Sequence, residues 1–271
     1  MIKFYSAWFC PYAQRAWLTL AYHNIPFEYV ESLIVKKDQS EGNHGYDKNA
    51  RLLELNPKGL VPTLELQDDI VDGLDDTMKE MLTKVGDAWV LSQSIECMVF
   101  LNSLAMTIES EEKNDIMPNS SAQFLADAHK FNEDICSHFY KVLMKPAREE
   151  QEEAFAAFAG GIVEFIQQVQ TEGFYQLNEP TIVDFTVIPW LLRIPLLKHY
   201  RPKFKLDDYM SGDDTTKLNN YISRMEGLES VKKTLWEHAN DLIPIYERYA
   251  DGSAQSQVGQ AVKNGKNAHD C

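Results

Sequence analysis

Positive charge is scarce in this sequence: 26 lysines and arginines stand against 41 aspartates and glutamates in 271 residues, a formal net charge of −15. Such a surface repels phosphate backbones and anionic headgroups, so neither nucleic-acid binding nor membrane docking is expected. Long apolar runs are missing too. No window reaches the roughly 18 apolar residues a bilayer span needs, and MIKFYSAWFC lacks the apolar core of a secretory signal. Cysteine is sparse: Cys10, Cys97, Cys136 and Cys271 lie far apart and form no CxxC pair. That argues against a disulfide framework or a zinc site and points to a reducing, cytoplasmic compartment. His44 and His129 have no partners at ligand spacing, so no metal is expected. What is present is ordinary for a folded chain, 44% hydrophobic and 25% charged, in a length that slightly favours two domains.

Residues 1–7 alternate as a strand, with Ile2 and Phe4 on one side. From Pro11 the period changes: Ala13, Ala16, Trp17, Leu20 and Ala21 fall at helical spacing, and Asn24 and Pro26 mark the stop. PFEYVES reads as a second strand, KKDQSEGNHGYDKN as a loop and ARLLELNP as a short helix. GLVPTLEL reads as turn then strand, with Pro62 where a missing N–H does least harm. AWVLSQS is a fourth strand. The acidic stretch 68–87 interrupts this order and is read as a flap or a weakly amphipathic partner-binding helix. Residues 1–105 therefore read β-α-β-α-β-β-α, a small α/β domain. Residues 106–250 carry helical patterns and no convincing strand. The tail 251–271, rich in Gly, Ser, Asn and Gln, is expected to be disordered.

The stretch FCPYAQR sets Cys10 at the seam between the first strand and the first helix. With Pro11 in the first helical position, where a missing N–H costs nothing, Cys10 becomes the N-cap. Amide N–H groups and the positive helix end then act on its sulfur. Cysteines so placed titrate at about 3.5–7.5 instead of about 8.5, which makes a nucleophile at neutral pH. Arg15 adds positive charge nearby. Three residues on stands Ala13, so no CxxC disulfide can form and an outside thiol must resolve any mixed disulfide. That is monothiol chemistry. Cys97 and Cys136 sit in apolar helical stretches and read as buried residues.

CPYAQR after a strand, NPKGLVPTLEL in mid-domain, QS opening a helix and TIVDFTVIPWLLRI in the helical half occur in this order. Together they resemble the cytosolic glutathione transferases, and among them the cysteine-type omega class, over residues 1–67 and 88–245. The resemblance implies a thioredoxin-like N-terminal domain, an all-α C-terminal domain and a homodimer. It implies glutathione as cosubstrate, bound as a mixed disulfide at Cys10. Carried over, Val61 and Pro62 form a cis-proline turn whose Val61 backbone pairs with glutathione. Gln93 and Ser94 grip the γ-glutamyl end, with Gln93 where glutamate is expected. Lys48 contacts the glycyl end, with Lys58 a second candidate. Tyr12 borders both the glutathione and the substrate sub-sites, and Tyr221 lines the substrate pocket. Thr181 and Asp184 fit a capping box.

The function so implied is a glutathione-dependent thiol transferase or reductase acting on glutathionylated substrates or dehydroascorbate. Alternatives are hydroxyl-type conjugation of electrophiles, where Tyr5 or Ser6 would serve, a soluble form like the intracellular chloride channels, or a binding protein without turnover.

Overall fold

The computed structural model describes residues 1–35, 45–107, 114–118, 121–236 and 240–271. They form two compact units. The first comprises Met1–Lys36, Tyr46–Pro118 and Leu228–Leu235; the second comprises Lys37–Gly45, Asn119–Gly227 and Trp236–Cys271. Residues 36–44 of the expected polar loop, His44 among them, lie outside the described residues.

In the first unit β1 (Ile2–Ser6) runs parallel to β2 (Phe27–Glu31), joined by helix α1 (Pro11–Tyr22). A parallel pair needs such a crossover, because a tight turn can only join antiparallel strands. The helix buries Ala13, Ala16, Leu18 and Leu20, and Phe4 of β1 is also buried. Two short strands, β3 (Leu33–Val35) and β4 (Tyr46–Lys48), pair antiparallel as a separate ribbon before helix α2 (Ala50–Leu55). Next come β5 (Thr63–Leu66), α3 (Asp68–Asp72), α4 (Asp76–Glu80), β6 (Thr83–Val85), β7 (Ala88–Ser92) and α5 (Ser94–Thr107). The main sheet has the order β2-β1-β5-β7-β6, and α5 packs on α1.

This is the expected α/β thioredoxin-like arrangement with three additions. β3, β4 and β6 are each three residues long, too short for an alternating pattern to register, and β4 lies inside the segment read as loop. The acidic stretch 68–87 is folded, not a flap. Val71, Leu74, Met78 and Leu82 are buried, while Asp68, Asp69, Asp72, Asp75, Asp76 and Glu80 face outward.

The second unit is helical. α6 (Ser121–Phe131) and α7 (Ser137–Met144) are separated by one π-helical turn, Asn132–Cys136. They are followed by α8 (Arg148–Gln168), α9 (Ile182–Leu191), α10 (Ile194–Tyr200) and α11 (Gly212–Gly227). The short α12 (Glu229–Lys232) instead packs on α1 of the first unit. The last helices are α13 (Ile243–Ala250) and α14 (Gln257–Lys263). Phe131, Phe139, Phe158, Phe165 and Trp190 make up much of this core, each fully buried. α9 starts on the capping box read from the sequence: the Thr181 hydroxyl accepts from the Asp184 N–H, and the Asp184 carboxylate accepts from the Thr181 N–H at 2.7 Å.

The expected disordered tail is a correction. Ser256 caps α14 through the Gly259 N–H at 3.0 Å, Tyr249 and Ser256 share a hydrogen bond at 2.9 Å, and Asn267 donates to Glu133 at 2.8 Å. Ala254, Val262 and Ala268 are buried. These anchors are small and few, so their composition resembles a linker although they pack. Ending the chain at Gly252 is therefore expected to cost about 2–4 kcal/mol, read as a lower urea midpoint than the full chain.

Candidate active site

Strand register alone gathers four segments at one margin of the main sheet. Ser6 ends β1 with Glu31 of β2 opposite. Tyr5 pairs with Thr63, and Thr63 with Ser92. The residues just before β5 and just after β7, Val61–Pro62 and Gln93–Ser94, therefore flank the end of β1 that runs on to Cys10.

Cys10 is the N-cap of α1 in extended conformation (φ −82°, ψ 118°), and Pro11 takes the first helical position. Its N–H donates to the Ala7 carbonyl at 2.9 Å, closing the turn into the helix, and its carbonyl accepts from the Gln14 N–H at 3.0 Å. The side chain is half-buried, whereas Cys97 and Cys136 are fully buried. Burial and the neighbouring Glu96 push the Cys97 thiol well up. One turn along, the buried Arg15 lies with its guanidinium 5.3 Å from the Tyr12 ring centre and donates to the Ser94 hydroxyl at 3.0 Å. Arg15 thus links the starts of α1 and α5, a tie that the sequence suggested only as nearby charge.

The Val61–Pro62 peptide is cis. The turn before it is pinned by Asn56, whose amide donates to the Thr63 hydroxyl at 3.2 Å, and by the Thr63 hydroxyl donating to the Leu60 carbonyl at 2.9 Å. Gln93 holds a left-handed backbone at φ 80°, a conformation costing a non-glycine residue on the order of 1–3 kcal/mol. Its carbonyl takes the Cys97 N–H at 2.9 Å, so the α5 ladder starts from it. Lys48 ends β4 and donates to the Lys58 carbonyl at 2.6 Å. Gly59, at φ 58°, makes room for that lysine: a Cβ there would lie 2.5 Å from Lys48 Cδ.

Cys10, Tyr12, Lys48, Val61, Pro62, Gln93 and Ser94 all belong to the first unit. Tyr221 does not. It lies in α11 of the second unit, fully buried, its ring edge-on to Phe165 at 5.3 Å and its hydroxyl donating to Asp184 at 2.9 Å. A side chain without exposed surface cannot line a pocket, so that expectation is corrected: Tyr221 is a core residue. Tyr12 is also buried, at 8% exposure, and its ring meets Arg15. Tyr5, the hydroxyl-type candidate, is buried with its phenol donating to Glu65 at 2.6 Å; burial and that carboxylate push its ionisation up.

Sequence reading missed two residues at this margin. Glu31 accepts from the Tyr29 hydroxyl at 2.9 Å and from the Trp8 N–H at 3.3 Å. Partial desolvation raises the Glu31 carboxyl above its usual range despite these hydrogen bonds, although the residue keeps exposed surface, and burial raises Tyr29, with the Glu31 and Cys10 charges adding to it. Nothing in PFEYVES distinguishes these two from ordinary strand residues. Among the described residues no group of three His, Cys, Asp or Glu side chains is placed to hold a metal, and no helix is long and apolar enough to cross a membrane.

Residues 9–104 match the family described as glutathione S-transferase, N-terminal domain. Among solved structures, glutathione transferase Omega 3C from Trametes versicolor is 25% identical with a TM-score of 0.66, covering 94% of this chain and 92% of that one. The trimeric glutathione transferase TDR1 of Leishmania is 18% identical with a TM-score of 0.66, covering 94% of this chain and 50% of that one. Rice GST1, solved in complex with glutathione, is 15% identical with a TM-score of 0.62, covering 91% of this chain and 96% of that one. No curated protein sequence matches the chain.

Proposed function

From the premise that this chain carries the N-terminal domain and the fold of the glutathione transferases, with an omega-class enzyme among its structural relatives, we propose that it is a glutathione-dependent thiol transferase working through Cys10. The observation that carries this reading is the half-buried Cys10 at the N-cap of α1, opposite Val61–Pro62 and the start of α5. The Cys10 thiolate attacks a glutathionylated disulfide, forming Cys10–S–SG and expelling the substrate thiolate, which takes a proton from solvent. A second glutathione, as thiolate, then attacks the glutathione sulfur of that mixed disulfide and releases glutathione disulfide, regenerating Cys10. Arg15 holds Ser94 in place, and the α5 start, with its amide N–H groups, suits the γ-glutamyl carboxylate. Val61 offers backbone groups to the cysteinyl part of glutathione. Lys48 is the candidate for its glycyl carboxylate. The chain is read as a cytoplasmic homodimer, with dehydroascorbate a further substrate.

The test is reduction of β-hydroxyethyl disulfide by glutathione in the presence of the chain; no rate above the buffer blank overturns the assignment. The site also predicts a gain. Gln93→Glu places a carboxylate against the γ-glutamyl ammonium, so glutathione is expected to bind about three- to tenfold tighter. Isothermal titration of the two chains measures it.

A further inference from the structure

We propose that Glu31 is a positioning residue for Cys10: its carboxylate fixes the Trp8 amide in the turn that presents the sulfur, and its negative charge restrains how readily that sulfur ionises. This rests on the reading of Cys10 as the reacting thiol.

The geometry follows from the sheet. β1 and β2 are parallel and end level, with Ser6 opposite Glu31, so the carboxylate stands beside the segment Ala7–Cys10 that leaves β1. Glu31 Oε2 accepts from the Trp8 N–H at 3.3 Å and from the Tyr29 hydroxyl at 2.9 Å, while the Cys10 N–H closes the same turn on Ala7 at 2.9 Å. A side chain holding the middle of a four-residue turn sets the direction in which the last residue points. The electrostatic neighbourhood is shared as well, since Tyr29 feels both the Glu31 and the Cys10 charge.

Among the described residues, Tyr46 of β4 stacks on Phe9 of this turn at 5.3 Å, and the charged groups on the elements packed here have separate partners or stand elsewhere. Tyr5 of β1 donates to Glu65, Arg15 of α1 to Ser94, and Lys48 of β4 to the Lys58 carbonyl. Lys232 and Glu229 of α12 pair with each other, and Lys3 and Glu28 face each other nearer the opposite end of the strand pair. Glu96 lies in the first turn of α5. Tyr12 of α1 packs with Arg15. A carboxylate beside a thiolate disfavours the second charge. The effect is opposite in sign to that of the α1 dipole. Glu31 therefore tempers the activation that the helix end supplies and keeps the thiol from standing permanently ionised and open to oxidation.

The experiment is alkylation of Cys10 by iodoacetamide across pH 4–10 in the full chain, followed by mass spectrometry of the Cys10 peptide. Glu31→Gln keeps the size and removes the charge; its midpoint is expected roughly half a pH unit or more below that of the native chain. Glu31→Ala, the second variant should the glutamine one fail to fold, is expected to shift the same way. Glu31→Asp, which retains the charge, is expected to stay within a few tenths of native. Equal midpoints for native, Gln and Ala chains overturn the proposal, as does a shift to higher pH. A native chain whose alkylation depends on residue 31 but which takes up no glutathione sinks the thiol-transferase reading and leaves this one standing. Uptake of glutathione with a midpoint indifferent to residue 31 sinks this one alone.

Discussion

Cys10→Ser is expected to take up no glutathione and to lose thiol–disulfide exchange on the order of a thousandfold or more. After treatment with oxidised glutathione, intact-mass measurement should give one glutathionyl adduct on the native chain and none on the variant. The reasoning is chemical. A serine hydroxyl at the same helix start remains protonated at neutral pH, and disulfide exchange proceeds through the anionic sulfur. The other cysteines cannot substitute readily. Cys97 is fully buried with its thiol pushed up, and Cys136 is fully buried with its sulfur near the Thr186 carbonyl at 3.7 Å. Cys271 is the half-exposed competitor, so Cys271→Ser serves as the control and should keep the adduct. An adduct mapping to Cys97, Cys136 or Cys271 in the native chain refutes the mechanism.

The second large effect is on stability. Asp184→Ala is expected to destabilise the protein by more than about 3 kcal/mol and to lower the melting temperature by about 6–12 °C. Asp184 is fully buried at the start of α9, and three residues depend on its carboxylate. The Thr181 N–H donates to it at 2.7 Å, the Tyr175 N–H at 3.0 Å and the Tyr221 hydroxyl at 2.9 Å. Alanine removes the cap and strands these donors in the core, where each unsatisfied group costs about 1–3 kcal/mol. A two-degree change in scanning calorimetry would contradict this account. The same residue gives a pH dependence. Burial pushes the Asp184 carboxyl from its ordinary 3.8 up to about 6, against the pull of its hydrogen bonds. Between those two values the folded chain holds a proton that the unfolded chain has released. This residue's contribution to stability therefore declines as pH rises from about 4 to about 6. Asp184→Asn should flatten that part of the stability curve.

Much of this was legible in the sequence because it rests on local signals. Cys-Pro at a change of hydrophobic period fixes the strand, the N-cap and the helix start together, and Thr181 and Asp184 are spaced as a capping box needs. Val61–Pro62 and Gln93–Ser94 follow from likeness, and the register of β1, β5 and β7 sets them at the end of β1 that leads to Cys10. What escaped depends on tertiary pairing. The strands β3, β4 and β6 exist because a neighbour completes their ladders, and the α14 segment packs through alanines and one valine that carry no periodic signature. Tyr221 shows the opposite limit. An aromatic in a helical repeat looks the same whether it faces a cleft or the core, and only the burial of its ring and its bond to Asp184 decide it. Glu31 was invisible for a related reason: Trp8 meets it only through the pairing of β1 with β2, and its local bond to Tyr29, two residues back on the same strand, is one any strand pair could make.

The sheet order has a bearing on how the chain behaves in a crowded solution. β6, folded from the end of the acidic segment, occupies one outer margin of the main sheet next to β7. It offers only three residues, with Lys84 laid over the Trp89 ring at 4.9 Å and a row of exposed aspartates preceding it. A rim that brief and that charged is a poor template for a foreign strand. Without it, β7 with Trp89, Val90 and Leu91 would form that rim and invite rung-by-rung fibril growth; the segment behaves as a guard against self-association of the wrong kind.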